Sequence, residues 1–229
     1  MKLVASIMCQ NEINRLPNLI NSLYFVDDIY IVDGDSIDGT IEYLESIPKV
    51  KLFHNKWTGN HVEQRNYILD KIPKETWILQ IDCDELLTIP LRENIKTVLE
   101  SEEITNIINN CKENQVPTIW LRSINLVKNT KHYDENSLYE LAKIFYKKDD
   151  SLKWISNNKI HPVLNKELYG ISLAAPYSII HFAALVSEEE LANKRKIYTE
   201  IGGEEAAKEY YLLWPEKWIV KDLPEYIQF

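Results

Sequence analysis

The chain has 229 residues, of which 45% are hydrophobic, so it is long enough to bury one substantial core. Its formal net charge of -9 disfavours nucleic acid or an anionic membrane as a main partner, because both attract clustered cations. Cys9, Cys83 and Cys111 lack metal-ligand spacing, and no apolar stretch is long enough to span a membrane, so we expect a cytoplasmic protein without a transmembrane segment.

The first part of the chain alternates apolar runs with amphipathic segments. This alternation predicts an α/β domain, with a parallel sheet covered by helices on both faces. Ligands of such sheets bind beyond the carboxyl ends of the strands. The predicted strands are Leu3–Cys9, Asp28–Asp33, Val50–His54 and Thr76–Asp82, and the predicted helices are Leu16–Phe25, Gly39–Ser46 and His61–Lys71.

The pattern changes after the segment Leu91–Lys112, which is predicted to be mostly helical, with Pro90 near its start. We therefore divide one domain into a nucleotide-binding half over residues 1–115 and a mixed strand and helix half over residues 116–229. The second half is predicted to contain strands at Thr118–Asn125, Ala142–Tyr146, Lys159–Leu164 and Tyr177–His181, followed by helices at Glu188–Ile201 and Glu204–Leu213.

Acidic and amide side chains follow three of the predicted strands. Two carboxylates that flank one residue at a strand tip suit a hard cation such as Mg²⁺ or Mn²⁺, which takes oxygen ligands and leaves positions open for phosphate oxygens. Each segment alone is also typical of a solvated turn or a helix start. Their joint occurrence at successive strand ends favours a ligand site built from Asn11 and Glu12, from Asp33 and Asp38, and from Asp82, Asp84 and Glu85.

Together these segments resemble the family 2 glycosyltransferases, which have the GT-A fold. The second half is more loosely similar to a subgroup that includes bacterial lipopolysaccharide-core glucosyltransferases, through His161, Ile180-His181-Phe182 and the spacing of Lys194 and Tyr198. The family resemblance rests on Ser6-Ile7-Met8-Cys9-Gln10-Asn11-Glu12, Ile31-Val32-Asp33-Gly34-Asp35-Ser36-Ile37-Asp38-Gly39-Thr40, Gln64-Arg65-Asn66 and Ile78-Leu79-Gln80-Ile81-Asp82-Cys83-Asp84-Glu85.

The resemblance implies a Rossmann-like, mostly parallel sheet with helices on both faces and a C-terminal mixed strand and helix extension. It also implies metal-dependent, inverting transfer of a sugar from a nucleoside diphosphate sugar, with UDP as the expected nucleotide. The cofactor would be Mn²⁺ or Mg²⁺, and the saccharide-type acceptor a glycan, a lipid-linked group or a protein.

The donor contacts that the resemblance implies fall on the strand ends and on the third helix. Asp33 is expected at the uracil or ribose. Asn11 and Glu12 follow the strand where the family holds the nucleoside, although Glu12 is also placed to cap a helix. Asp38 lies in the same loop as Asp33, and helix capping is an equal alternative. Arg65 is the expected donor-side cation, with an ion pair to a neighbouring acid, Glu63 or Asp70, as its alternative.

The implied metal site combines both halves of the chain. Asp84 is expected to bind the metal directly, and Asp82 to hold ribose or a metal-bound water. His181 is expected to be a third metal ligand or a diphosphate contact, with a core histidine as the alternative. Lys194, together with Tyr198 four residues later, would contact the diphosphate or belong to a solvated helix face.

The catalytic base is not transferred by the resemblance. The subgroup has a His-Glu pair where this chain has His161-Pro162. An inverting transfer needs a base near the acceptor hydroxyl. Asp134, Glu135 and Glu140 remain candidates, and Glu140 is favoured.

Two other functions stay open at this stage. A nucleotidyltransferase also carries acids at the edge of a similar sheet, but its first loop usually contains glycine and a cation, and Gln10-Asn11-Glu12-Ile13-Asn14 has neither. A protein of the same fold that binds a carbohydrate or nucleotide sugar without turnover is the other alternative.

Overall fold

The computed structural model describes residues 1–135, 138–155, 162–182, 185, 196, 200, 219–225 and 227–229. His161, Lys194 and Tyr198 lie outside the described residues, as do the helix predicted at Glu188–Ile201, apart from two residues, and the helix predicted at Glu204–Leu213.

The N-terminal half forms alternating strands and helices, as predicted. The four strands are parallel in the order β3-β2-β1-β4, with β1 at the centre. Strands β1, β2 and β3 and helix α3 have the predicted bounds, and α1 and β4 end earlier than predicted. The elements are β1 Leu3–Cys9, α1 Leu16–Ser22, β2 Asp28–Asp33, α2 Thr40–Glu45, β3 Val50–His54, α3 His61–Lys71 and β4 Thr76–Gln80.

The remaining chain adds eight strands and two helices among the described residues. The segment predicted as one helix forms two, because Ser101 interrupts it and accepts a hydrogen bond from the Ile104 amide as the cap of the second. The elements are β5 Glu85–Leu87, α4 Ile89–Leu99, α5 Glu102–Asn110, β6 Gln115–Asn125, β7 His132–Asp134, β8 Tyr139–Lys147, β9 Trp154–Ile155, β10 Val163–Leu164, β11 Glu167–His181 and β12 Val220–Asp222.

Strands from both halves join one sheet of eight strands, in the order β3-β2-β1-β4-β8-β6-β11-β5. Strand β8 runs antiparallel between β4 and β6, and β11 runs parallel to β6 and antiparallel to β5. Two small ribbons, β10-β9 and β12-β7, lie outside this sheet. The predicted α/β fold class is therefore confirmed, and the strands after residue 115 extend the N-terminal sheet.

Helices cover both faces of the sheet, as predicted. On one face α1, α2, α4 and α5 pack around a core that includes Ile7, Trp77 and Leu79. On the other face α3 and β9 pack around Ile78 and Phe145. None of the helices that the structure describes is both long and apolar enough to cross a membrane.

Candidate functional site

The carboxyl ends of β1, β2 and β4 border a cavity of about 730 Å³ that is closed on the other side by residues of β8, β9, β10 and β11. Its apolar walls include Trp57, Trp154, Leu164 and Leu168. The polar side chains that line it include Glu12, Arg15, Arg65, Gln80, Asp82, Asp84, Glu85, Lys143 and His181. The structure thus brings together six of the residues predicted for the site: Glu12, Arg65, Asp82, Asp84, Glu85 and His181.

The acidic segment after β4 forms a tight turn, which we call the acidic loop (residues 82–85). The Glu85 amide donates to the Asp82 carbonyl at 3.1 Å, and the Asp82 amide donates to the Glu85 carboxylate at 2.9 Å. Both carboxylates also contact cations. Lys143 Nζ lies 2.7 Å from Glu85 Oε2 and 3.3 Å from Asp82 Oδ2, and Arg65 lies 3.4 Å from Asp82 Oδ1. Two cations therefore balance two acids in the turn.

The charges in this turn depend on one another. Burial disfavours the charged form of the Lys143 side chain, but the neighbouring Asp82 and Glu85 outweigh it and raise the pKa of Lys143 above its ordinary value. Burial also opposes ionisation of Asp82, yet Lys143 and Arg65 lower the pKa of Asp82. The acidic loop therefore holds charged Asp82 and charged Lys143 in contact.

Lys143 reaches the cavity because β8 is irregular at this residue. In the pairing with β6, Ile144 lies opposite Ile119 and Ala142 lies opposite Trp120, so Lys143 is left without a partner between them. Such a bulge redirects the side chain of the extra residue.

Asp84 and His181 meet across the cavity from different parts of the chain. Their side chains approach to 3.6 Å, between Asp84 Oδ1 and His181 Nε2. The Phe182 amide donates to the Asp84 carbonyl at 2.8 Å and fixes the end of β11 against the acidic loop. Asn125 Oδ1 lies 2.7 Å from His181 Nδ1 and orients the ring.

The Asp84 and His181 side chains are chemically suited to a divalent cation. A carboxylate oxygen and an imidazole nitrogen are both ligands of Mn²⁺. A metal-binding histidine usually has its second ring nitrogen hydrogen-bonded to an oxygen, as His181 has with the Asn125 carboxamide. Burial lowers the pKa of His181, but the contact with Asp84 more than offsets this and raises it. Among the described residues, no group of three or more histidine, cysteine or acidic side chains could hold a metal ion.

Asn11, Asp33 and Asp38 do not line the cavity. The Asp33 carboxylate is fully buried and accepts hydrogen bonds from the amide and hydroxyl of Ser36. Asn11 has a φ of 56° and links the first two loops, since its carboxamide accepts from the Ile37 amide at 2.8 Å. These groups hold the loops after β1 and β2 together, and their roles toward a donor remain predictions.

Asp38 immediately precedes Gly39, the N-cap residue of α2, and its side chain bonds the first amide of that helix. Its carboxylate accepts from the amide of Thr40, the first residue of α2, at 3.1 Å, and from the Ile13 amide at 3.2 Å.

Glu12 lies at the cavity and forms an ion pair with Arg15 at 2.9 Å. Arg15 is thus a cavity cation that the sequence analysis missed.

The Gln64-Arg65-Asn66 motif connects three parts of the site. Gln64 hydrogen-bonds Asn55, and Asn66 forms two hydrogen bonds of 2.8 Å with the backbone of Trp154. The Arg65 guanidinium lies 4.9 Å from the centre of the Trp154 ring and reaches Asp82. The alternative for Arg65, an ion pair with an acid of its own helix, is wrong, because its partner is in the acidic loop.

The three candidate bases lie away from the cavity. Glu140 is exposed and accepts a hydrogen bond from Ser172 at 2.8 Å, because successive side chains of a strand point to opposite faces and its neighbour Leu141 lines the cavity instead. Asp134 is buried and accepts from the Ile219 amide at 3.0 Å, and Glu135 lies 3.6 Å from Lys221. Their assignment as a base remains a prediction.

Gln80 is a second polar residue that the sequence analysis missed. It is buried on β4 and lines the cavity, yet neither amide atom has a hydrogen-bond partner among the described residues. Arg65 Nε is likewise unpaired there. Buried polar atoms in native proteins usually pair with protein, water or a ligand. Both Gln80 and Lys143 are polar residues inside predicted strands that are otherwise mostly apolar. This feature of the sequence could have identified them as candidates for the site.

The sheet and the cavity at its strand ends define a GT-A protein, an α/β domain with its ligand site beyond the carboxyl ends of the strands. The chain belongs to glycosyl transferase family 2, whose sequence model matches residues 5–161. The resemblance stated from the motifs is thereby confirmed.

Similar proteins support the same family. An uncharacterized glycosyltransferase of Rickettsia bellii (strain RML369-C) is 34% identical over 102 residues, which are 44% of this chain and 34% of that protein. The lipopolysaccharide core biosynthesis glycosyltransferase LpsC of Rhizobium meliloti (strain 1021) is 25% identical over 202 residues, 86% of this chain and 69% of LpsC. The chain therefore covers about a third of the length of the Rickettsia protein.

The crystal structure of S. aureus TarS 1-349 has the same fold. It superposes with a TM-score of 0.54 at 17% identity, over 93% of this chain and 69% of TarS 1-349. The structure of the same protein in complex with UDP-GlcNAc gives a TM-score of 0.52 at 19% identity.

Proposed function

We propose that this protein transfers a sugar, with inversion, from a UDP-sugar to a glycan, lipid or protein acceptor, and that Mn²⁺ or Mg²⁺ assists the transfer. The observation that carries the proposal is the cavity in which the acidic loop meets His181 beside Arg65. Its position beyond the carboxyl ends of parallel strands is where this type of sheet binds ligands. A cytoplasmic location, expected from the sequence, is part of the same proposal.

Asp84 and His181 are the side chains that would hold the cation. A divalent cation at the diphosphate would stabilise the negative charge that develops as the sugar leaves. Arg65 supports a donor site because a guanidinium binds phosphate in a fixed geometry and its Nε has no partner among the described residues. Asp82, already paired with Arg65 and Lys143, would contact ribose or a metal-bound water. Lys194 would contact the diphosphate.

The nucleoside is assigned to the loops after β1 and β2. Glu12 reaches the cavity directly, whereas Asn11, Asp33 and Asp38 act in this proposal by shaping the loops that face the nucleoside. Gly34 supports a close approach of the ligand to the backbone, since it lines the cavity and a side chain there would meet Trp57 at 3.0 Å.

A thermal-shift experiment tests the donor site. We expect UDP and UDP-GlcNAc, the compound in the TarS complex, to raise the melting temperature when Mn²⁺ is present. At a ligand concentration about 100 times the Kd, binding adds roughly 2.7 kcal/mol, which is on the order of 5–10 °C for a chain of this length. Asp84→Asn should abolish the Mn²⁺-dependent part of the shift and leave the melting temperature without ligand nearly unchanged.

Asp35→Asn is the matched control, because Asp35 lies at the same edge of the sheet, is exposed and does not line the cavity. It should retain the full shift. If Asp84→Asn lowers the melting temperature of the ligand-free protein strongly, or if the two variants respond alike, the metal assignment is wrong.

Binding of a nucleotide sugar without turnover is a second candidate. It is favoured by the placement of Asp134, Glu135 and Glu140 away from the cavity. Release of UDP from a UDP-sugar, measured with and without Mn²⁺ and with saccharide acceptors, separates the two. A transferase releases UDP, whereas the binding protein shows the thermal shift alone.

A further inference from the structure

Lys143 is a buried cation that the proposed chemistry does not yet use. It lies at the irregular position of β8, and its ammonium contacts two carboxylates of the acidic loop, Asp82 at 3.3 Å and Glu85 at 2.7 Å. A buried ammonium is stable only when paired charges and hydrogen bonds compensate its loss of water. The contacts with both acids meet this need.

The pairing divides the acids of the loop into two groups. Both oxygens of Asp82 face cations of the protein, with Arg65 on Oδ1 and Lys143 on Oδ2. Glu85 is only 3% exposed and binds Lys143 and the Asp82 amide through the same oxygen. Asp84 instead extends toward His181. A divalent cation that enters the cavity therefore meets Asp82 with its two oxygens already engaged.

We infer that Lys143 is a positioning residue that holds the Asp82 carboxylate away from the divalent cation, so that Asp84 and His181 take the cation instead. This inference rests on the proposed metal site. In this arrangement Lys143 and the cation compete for Asp82, and the protein's own ammonium lowers the affinity of the ligand-free cavity for metal. The cation then binds strongly only when phosphate oxygens complete its coordination.

The experiment measures binding of Mn²⁺ alone, from the free-ion signal in electron paramagnetic resonance. We compare wild type with Lys143→Met, Asp82→Asn and the double variant. Lys143→Met should bind Mn²⁺ on the order of tenfold more tightly, because a nearby unit charge is lost and Asp82 is released. A purely structural role for Lys143 would weaken binding instead.

The double variant separates charge from coordination. If Lys143 and Asp82 affect Mn²⁺ only through their charges, the effects of the two substitutions on the free energy of Mn²⁺ binding add. If Asp82 can become a metal ligand only after Lys143 is lost, the two effects do not add. Asp82→Asn should therefore weaken Mn²⁺ binding about tenfold more in the Lys143→Met background than in wild type. Equal losses in both backgrounds, or weaker binding by folded Lys143→Met, overturn the inference.

Lys147→Met is the matched control, since Lys147 is a buried lysine on the same strand whose ammonium donates to the carbonyls of Leu69 and Ile72. It should lower the melting temperature but leave Mn²⁺ affinity within about twofold; a gain in affinity as large as that of Lys143→Met would overturn the inference.

If Lys143→Met does not fold, single substitutions in the wild-type protein test the inference instead. Asp84→Asn should then weaken Mn²⁺ binding at least tenfold more than Asp82→Asn, and equal losses refute the inference. If Mn²⁺ binds neither the wild type nor folded Lys143→Met, with or without UDP, the proposed metal site and this role of Lys143 both fail. If Mn²⁺ binding responds as expected but no UDP-sugar binds, only the proposed function fails.

Discussion

Asn66 is expected to contribute to stability rather than to contact the donor. It is the last residue of the family motif on α3, and its carboxamide makes two hydrogen bonds with the Trp154 backbone, one as donor and one as acceptor. Strand β9 has only two residues, so these bonds are a main attachment of β9 to the helix. Substitution of Asn66 by alanine removes both.

The size of the effect follows from the two bonds. Each contributes about 1 kcal/mol net, and part of the cost of leaving the Trp154 amide and carbonyl unpaired is added. The expected loss is roughly 2–3 kcal/mol in the free energy of unfolding. For a chain of this length, that is on the order of 4–12 °C in the melting temperature.

Urea and thermal unfolding followed by circular dichroism measure the loss, and hydrogen exchange of the Trp154 amide reports where it arises. Asn18→Ala, at an exposed position of α1, is the control and should change stability by less than about 0.5 kcal/mol. If Asn66→Ala costs no more than the control, the two hydrogen bonds do not attach β9 and the reasoning is refuted.

Two further predictions concern His181 and the edge of the sheet. Asn125→Ala should weaken Mn²⁺ binding about 10–100-fold, because Asn125 orients the His181 ring, and calorimetric titration measures it; unchanged affinity contradicts this role. Lys2 and then Lys51 lower the pKa of Asp28, so the carboxylate stabilises the fold above its unfolded pKa of about 3.9 and loses this effect as the pH falls through the lower folded value. Asp28→Asn should therefore cost about 1 kcal/mol in urea unfolding between pH 5 and 7, and this cost should shrink as the pH falls below the unfolded pKa of about 3.9; a cost that does not change with pH would be inconsistent with the ion pairs.

Local sequence patterns were sufficient for the N-terminal half of the fold. The runs Leu3–Cys9 and Asp28–Asp33 are apolar on both faces because helices cover both sides of their strands, and their ends can be read directly. The insertion of β8 between β4 and β6 could not be predicted, because it depends on pairing between distant segments. Very short strands such as β5 and β9 have too few residues to show the alternation of apolar and polar side chains that identifies a strand.

The place of Asp82 and Asp84 at the cavity was predictable, because both residues follow the end of a strand, and their roles toward a metal stay predictions. The site was not predictable where the choice of hydrogen-bond partner decides. The sequence did not indicate that Ser36, three residues after Asp33, donates to the Asp33 carboxylate within the loop. Lys143 was hidden because its contact with the acidic loop follows from the irregular pairing of β8.

The continuous sheet has a consequence for how such a domain changes over evolution. The carboxylates of the acidic loop come from the first half of the chain, while Lys143, which pairs with two of them, and the facing His181 come from strands of the second half. Exchange of the second half for that of another protein would remove the cation that pairs with Glu85 and leave Asp82 with Arg65 alone. The two halves must therefore be inherited together, or a replacement must bring its own cation at the same register.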